Sequence, residues 1–129
     1  MIFDNQQVFD TVTAHLIAQG VAAVDDNGDC KYRMTDGRSC AVGCLIPDEL
    51  YTSDMEESST TEPGIRACLE QMYPEGYDSD LLCALQDCHD NLLSKHGLGV
   101  WAIDMRRLAL AYDLIIPSAI HTLIREVTL

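Results

Sequence analysis

Basic side chains are scarce in this sequence. Eight Lys and Arg residues stand against 21 Asp and Glu residues, which gives a formal net charge of −13. No Lys or Arg occurs between Arg38 and Arg66, or between Arg66 and Lys95. Because binding to nucleic-acid phosphates or to anionic lipids depends on cationic side chains, the composition argues against direct contact with nucleic acid or with a membrane surface.

Long apolar runs are missing as well. One of the longest, residues 41–46, is interrupted by Gly43, whereas a membrane-spanning helix needs about 20 consecutive apolar residues. Residues 1–5 contain no basic residue ahead of an apolar segment, so we expect no secretory signal and a cytoplasmic protein. In that compartment the six cysteines should be reduced thiols.

The sequence does contain enough apolar material for one folded domain. Hydrophobic residues make up 47% of the 129 residues and charged residues 22%, which is ordinary globular composition. A chain of this size buries roughly two-thirds of its unfolded surface, so it can form a core without metal or disulfide bonds. We therefore expect a single globular domain over residues 1–129.

Apolar residues recur at helical spacing through most of the chain. The first such stretch runs from Val8 to Leu16, and Gly20 is placed to end it. Four later stretches have the same spacing: one follows Pro63, one follows Asp78, one includes Trp101 and one follows Pro117. In addition, Pro47 favours a short helix.

Period-two alternation at residues 30–34 and 39–42 instead predicts two strands, joined by an Asp-Gly turn. The predicted fold is mainly α (α+β), with about four to five helices packed with one small β-hairpin.

A cysteine nucleophile is one chemical interpretation. Cys40 lies among small residues close to Arg38, and a helix beginning there would favour its thiolate. His89 and the adjacent Asp90 would then supply a general base and an orienting carboxylate. The pattern predicts a thiol-dependent hydrolase with Cys40, His89 and Asp90 as its catalytic residues. The competing interpretation is structural, because six cysteines and four histidines produce such combinations by chance.

A structural zinc site is a second interpretation, although the sequence has no Cys-x-x-Cys pair. The nearest pairs, Cys40 with Cys44 and Cys83 with Cys88, do not have the usual spacing of zinc ligands. A zinc-stabilised protein would use Cys30, Cys40, Cys44 and a histidine. The competing interpretation is that these cysteines fill the core, and on balance we expect no cofactor and no metal.

The acidic stretch at residues 52–61 predicts a surface loop. With the carboxylates on either side of it, this loop is where we expect contacts to a basic partner protein. The candidate binding residues are Asp48, Glu49, Asp54, Glu56, Glu57 and Glu62. The alternative is that the net charge only keeps the protein soluble.

Residues 32–51 contain the core Cys-Ala-Val-Gly-Cys-Leu-Ile-Pro-Asp. This segment resembles a small family found in tailed bacteriophages and prophage-bearing bacteria, generally as proteins of unassigned function. Residues 9–12, 14–16 and 85–90 extend the resemblance, which does not cover the chain from Gly97 onward. The resemblance implies a phage accessory protein that acts in the host cytoplasm, and it implies no catalytic residues.

A binding protein is therefore favoured over an enzyme. We expect a phage-encoded protein that binds and modulates a host protein through its acidic surface, for example by inhibiting a defence or nucleic-acid-handling system. The partner would carry a basic surface. The thiol hydrolase and the zinc-stabilised protein stay open as alternatives, and a homodimer is compatible with the sequence.

Overall fold

The computed structural model describes residues 2–56 and 63–128, with only the backbone described for Pro63, Val127 and Thr128. Within these ranges the chain is mainly helical, which confirms the predicted helical character. The α-helices are α1 (Asn5–Gln19), α2 (Pro63–Met72), α3 (Ser79–Asp87), α4 (Ser94–His96), α5 (Leu98–Ala111) and α6 (Ser118–Thr128). A π-helical segment (Cys88–Leu93) joins α3 to α4, and single 3₁₀ turns are formed by Gly43–Leu45, Asp48–Leu50 and Ser53–Met55.

Local sequence signals set the ends of the long helices. The Asp4 carboxylate accepts a hydrogen bond from the Gln7 amide (2.8 Å) at the start of α1, and Gly20 ends this helix with a φ of +81°. The Asp78 carboxylate accepts from the Leu81 amide (3.0 Å) at the start of α3. Gly97, with a φ of +85°, separates α4 from α5.

The core forms where the apolar faces of these helices meet. Fully buried side chains include Phe9 on α1, Leu69 on α2, Leu85 on α3, Trp101 on α5 and Ile120 on α6, and all of them belong to one cluster. Helices α5 and α6 pack against each other. None of the helices in the described ranges has the length and apolar character needed to cross a membrane.

The predicted β-hairpin is not formed in the described part of the chain. The Asp-Gly turn is present, since the Gly37 amide donates to the Met34 carbonyl (3.1 Å) with a φ of +95° at Gly37. Only the isolated antiparallel bridge Arg33–Ser39 follows from it, besides a second bridge at Val24–Cys30. The return strand stops because Val42 adopts a helical conformation and leads directly into the first 3₁₀ turn.

Gly43 sets how closely that 3₁₀ turn approaches the preceding segment. A Cβ atom at Gly43 would lie 2.0 Å from the carbonyl oxygen of Tyr32. The contact is backbone against backbone, so only glycine fits at this position. Residues 20–56 are thus held to the helices by close packing and by side-chain hydrogen bonds rather than by a sheet.

Candidate functional sites

His89 is the centre of a buried polar network. It lies on the π-helical segment and is completely buried. Its Nε2 accepts a hydrogen bond from the Ala23 amide (3.0 Å), and its Nδ1 lies 2.8 Å from a carboxylate oxygen of Asp90. Because the Ala23 amide can only donate, the proton of the neutral ring is on Nδ1 and is donated to Asp90.

Gln86 extends this network to a second loop. Its side-chain oxygen accepts from the Val42 amide (3.0 Å), and its side-chain nitrogen donates to the same Asp90 oxygen (2.8 Å). The backbone amides of Ala23 and Val42 thus donate to two side chains, His89 on the π-helical segment and Gln86 on α3. Since buried backbone amides need an acceptor, the network fixes both loops on the helices.

These contacts do not give Cys40 the surroundings of a nucleophile. Cys40 is completely buried, its sulfur accepts from the Gly43 amide (3.2 Å), and burial raises the pKa of its thiol. A nucleophilic cysteine needs a lowered pKa and access for a substrate. Of the predicted arrangement, only the His89–Asp90 pair is formed, and both nitrogens of His89 already have partners. The structure therefore gives Cys40, His89 and Asp90 structural roles.

The zinc interpretation meets a similar difficulty. In the described ranges, one group of three potential ligands has its atoms within 4.8 Å of one another, namely Cys30, His89 and Asp90, and it does not include Cys40 or Cys44. A metal ion on Nδ1 of His89 would leave the ring proton on Nε2, facing the Ala23 donor. Burial and the nearby Asp90 carboxylate also raise the pKa of Cys30 to about 11 in the metal-free protein. These residues do not fit a metal.

Two of the predicted binding residues have partners within the protein. Glu56 accepts from the Tyr32 amide (2.9 Å), the Arg33 amide (3.2 Å) and the Tyr51 hydroxyl. Glu56 therefore holds residues 32–33 against the 3₁₀ turns, and its prediction as a contact residue is not supported. Asp48 pairs with the Arg33 guanidinium (2.5 Å), although its side chain is 94% exposed.

The other predicted binding residues divide into two groups. Glu49 and Asp54 lie on the 3₁₀ turns and are exposed to solvent. Glu57 and Glu62 lie outside the described residues. Asp48, Glu49 and Asp54 together are called the acidic face below.

A second polar cluster, which the sequence analysis missed, surrounds Ser39. The Ser39 hydroxyl lies 2.9 Å from Nε2 of His15 on α1. The Gln19 side chain brackets the same residue, accepting from the Ser39 amide (2.9 Å) and donating to the Ser39 carbonyl (3.0 Å). His15 and Ser39 are 24 positions apart and share no local motif. No local sequence signal therefore indicates the contact.

This cluster lines a polar cavity of about 350 Å³. The wall also includes Arg33, Arg38, Cys44 and Asp48. Cys44 contributes no thiolate here, since burial raises its pKa to about 12 and its thiol donates to the Ala41 carbonyl (3.1 Å).

An apolar groove of about 490 Å³ lies elsewhere, between α1 and the segment that precedes α6. Ile17 and Ile115 form part of its wall, and Ile115 is 79% exposed. The Gln6 side chain fixes this segment, because it accepts from the Ile115 amide (2.8 Å) and donates to the Ile115 carbonyl (3.0 Å).

Comparison with protein-family models, with curated proteins and with solved structures finds no match to this chain.

Proposed function

We propose that this protein is an acidic binding module of phage or prophage origin, which binds a basic surface of a host protein in the host cytoplasm. The observation that carries the proposal is the charge imbalance of the folded surface. The net charge is −13, and within the described ranges at least five of the eight basic side chains lie within 4.0 Å of a carboxylate of the same chain. The cations are thus largely neutralised locally, whereas most carboxylates are left to attract a partner.

The acidic face is the part of the surface that we assign to partner binding. Its carboxylates project from consecutive 3₁₀ turns, and the backbone of Asp48–Leu50 and Ser53–Met55 is fixed by the turn hydrogen bonds. Held on such short turns, the carboxylates lose little conformational freedom when they meet a partner. The Glu56 contacts support the same turns from inside.

A basic partner surface of this kind is typical of proteins that handle nucleic acid, because they bind phosphates through Lys and Arg. An acidic protein that covers such a surface would compete with the nucleic acid. Inhibition of a defence or nucleic-acid-handling system is the form of modulation that this chemistry favours. The resemblance to phage proteins supports this form of modulation by analogy.

Charge reversal on the acidic face tests the proposal. The host protein would first be captured from bacterial lysate and purified. The double variant Glu49→Lys with Asp54→Lys should bind it at least about tenfold more weakly, since each reversal replaces attraction by repulsion. Both side chains are exposed, so the variant should fold normally.

The matched control is Asp26→Lys with Glu126→Lys, which changes the net charge by the same amount at two other exposed positions. It should bind within about threefold of the unchanged protein, because screening limits the reach of a surface charge to about 10 Å. Equal weakening by the two variants would contradict the assignment to the acidic face. No weakening by either would contradict the proposed function.

A further inference from the structure

The polar cavity beside Ser39 brings together two guanidinium groups, each of which is paired with one carboxylate. Arg33 and Arg38, two of the eight basic residues, both line this cavity with His15 and Ser39. A volume of about 350 Å³ is within the range of small-molecule sites. None of the contacts assigned to the proposed function uses the cavity, apart from Asp48 at its edge.

Both guanidinium groups are held in place by the protein. The guanidinium group of Arg33 stacks on the Tyr51 ring, with the guanidinium carbon 4.9 Å from the ring centre, and it donates a hydrogen bond to the Ile46 carbonyl. Arg38 donates to the Ala22 carbonyl (3.1 Å) and to the Asp36 carboxylate (2.9 Å). Their side chains are only 25% and 31% exposed. Each guanidinium carries five N–H donors, so both keep donors beyond these contacts.

The Ser39 hydroxyl and His15 form an adaptable donor beside these cations. Nε2 of His15 also lies 3.1 Å from the Ser39 carbonyl oxygen, and because a carbonyl can only accept, this contact favours the ring proton on Nε2. If Nε2 of His15 carries the ring proton, it donates to the Ser39 oxygen, and the hydroxyl proton is then free to point into the cavity. The pair can therefore offer a hydrogen bond to an anionic oxygen without a net charge of its own.

Two carboxylates compete with an incoming anion, since Asp36 pairs with Arg38 as well. Asp48 pairs with Arg33 at the edge of the cavity, but its side chain is 94% exposed. Because water solvates the Asp48 carboxylate, its pairing with Arg33 contributes little to stability. An incoming anion can thus compete for Arg33, while Asp48 turns into solvent.

We propose that this cavity binds a small molecule through a phosphate or carboxylate group, with Arg38 and the Ser39 hydroxyl as its main donors and Arg33 as the second cation. A planar guanidinium with a neighbouring hydroxyl suits such oxyanions, because several parallel donors meet several acceptor oxygens. The site adjoins the acidic face at Asp48 but takes its donors from other residues, so the protein would combine a small-anion site with its protein-binding surface.

The test is an NMR titration of the full chain with sodium phosphate, and separately with sodium acetate, at constant ionic strength. We expect saturable shifts of the Ser39 amide and the His15 ring with at least one of the two anions. Saturation by phosphate alone assigns the site to phosphate-bearing ligands, and saturation by acetate assigns it to carboxylates. No saturable shift with either anion would overturn the proposal.

Two variants locate the binding within the cavity. Arg38→Gln should weaken the anion by about tenfold or more, which corresponds to loss of one charged hydrogen bond. Ser39→Ala should weaken it by about threefold, and this variant keeps the backbone contacts with Gln19. Arg66→Gln is the control, because Arg66 is an exposed arginine on α2 whose only described ion pair is with Glu70.

The control should bind the anion as tightly as the unchanged protein does. If the Arg38 and Arg66 variants bind the anion with equal affinity, the anion is attracted by the overall charge of the protein, and the proposed site is wrong. If Arg38→Gln fails to fold, the Ser39 variant decides the question, and unchanged affinity there would also overturn it.

Discussion

At the scale of single residues, side chains on the helices take the place of a sheet. The loop amides of Ala23 and Val42 have no strand partner, and they donate instead to His89 and Gln86. Asp90 joins these two acceptors by receiving a hydrogen bond from each. Polar residues that looked catalytic in the sequence thus stabilise an irregular loop region, because a buried amide without an acceptor is costly.

Replacement of His89 measures this contribution. His89→Leu should lower the free energy of unfolding by about 1–3 kcal/mol, since it leaves the buried Ala23 amide without an acceptor and removes one of the two hydrogen bonds to Asp90. His121→Leu, on the exposed face of α6, should change it by less than about 0.5 kcal/mol. Urea denaturation of both variants provides the values. Equal stability of the two would mean that the network does not support the fold.

At the scale of elements, the helices could be predicted and the packing of the loops could not. The ends of α1 depend on Asp4 and Gly20, which act within one turn of the helix. The hairpin prediction was wrong because the alternating pattern gives no indication that Val42 turns helical. Contacts such as His15 with Ser39 join distant positions. They follow from tertiary packing, which a single sequence does not reveal.

The close approach at Gly43 gives a prediction at this scale. Gly43→Ala should lower the free energy of unfolding by about 2–3 kcal/mol, because the added Cβ would overlap the Tyr32 carbonyl and force the backbone apart. Gly64→Ala is the matched control on α2, where the nearest atom would be 3.9 Å from the new Cβ.

The control should be neutral or more stable by up to about 1 kcal/mol, since alanine favours a helix over glycine. Thermal unfolding of the two variants distinguishes these outcomes. A Gly43→Ala protein that unfolds at the same temperature as the unchanged chain would contradict the packing of residues 40–45 on Tyr32.

At the scale of the whole molecule, burial raises the pKa of several thiols. It raises the pKa of Cys30 to about 11 and that of Cys44 to about 12, from an ordinary value of 9.0. The folded state therefore holds these protons more tightly than the unfolded chain does. The stability that comes from these neutral thiols is fully present below pH 9.0, and it is lost progressively as the pH rises towards the pKa values of the folded state.

Unfolding by urea at about pH 8 and about pH 10, with a reducing agent present, checks this dependence. The free energy of unfolding should be smaller at the higher pH, and Cys44→Ala should reduce the difference. Stability that is constant or rises over this interval would contradict the buried, neutral thiols and would favour an activated cysteine.

Charge is the property of the whole molecule that bears on function. The carboxylates outnumber the basic residues by 21 to eight, and the acidic face presents three of them on adjacent turns. Long-range attraction of this kind accelerates association with a basic partner and is screened by salt. At the cavity beside Ser39, Arg33 and Arg38 come together, each paired with a carboxylate.

The most direct test is the affinity for the purified host partner, measured by calorimetry at increasing NaCl concentrations. An acidic binding module predicts that affinity falls at least about tenfold between about 50 mM and about 300 mM NaCl, because screening weakens attraction between exposed charges. A change of less than about twofold over that range would contradict binding through the acidic surface.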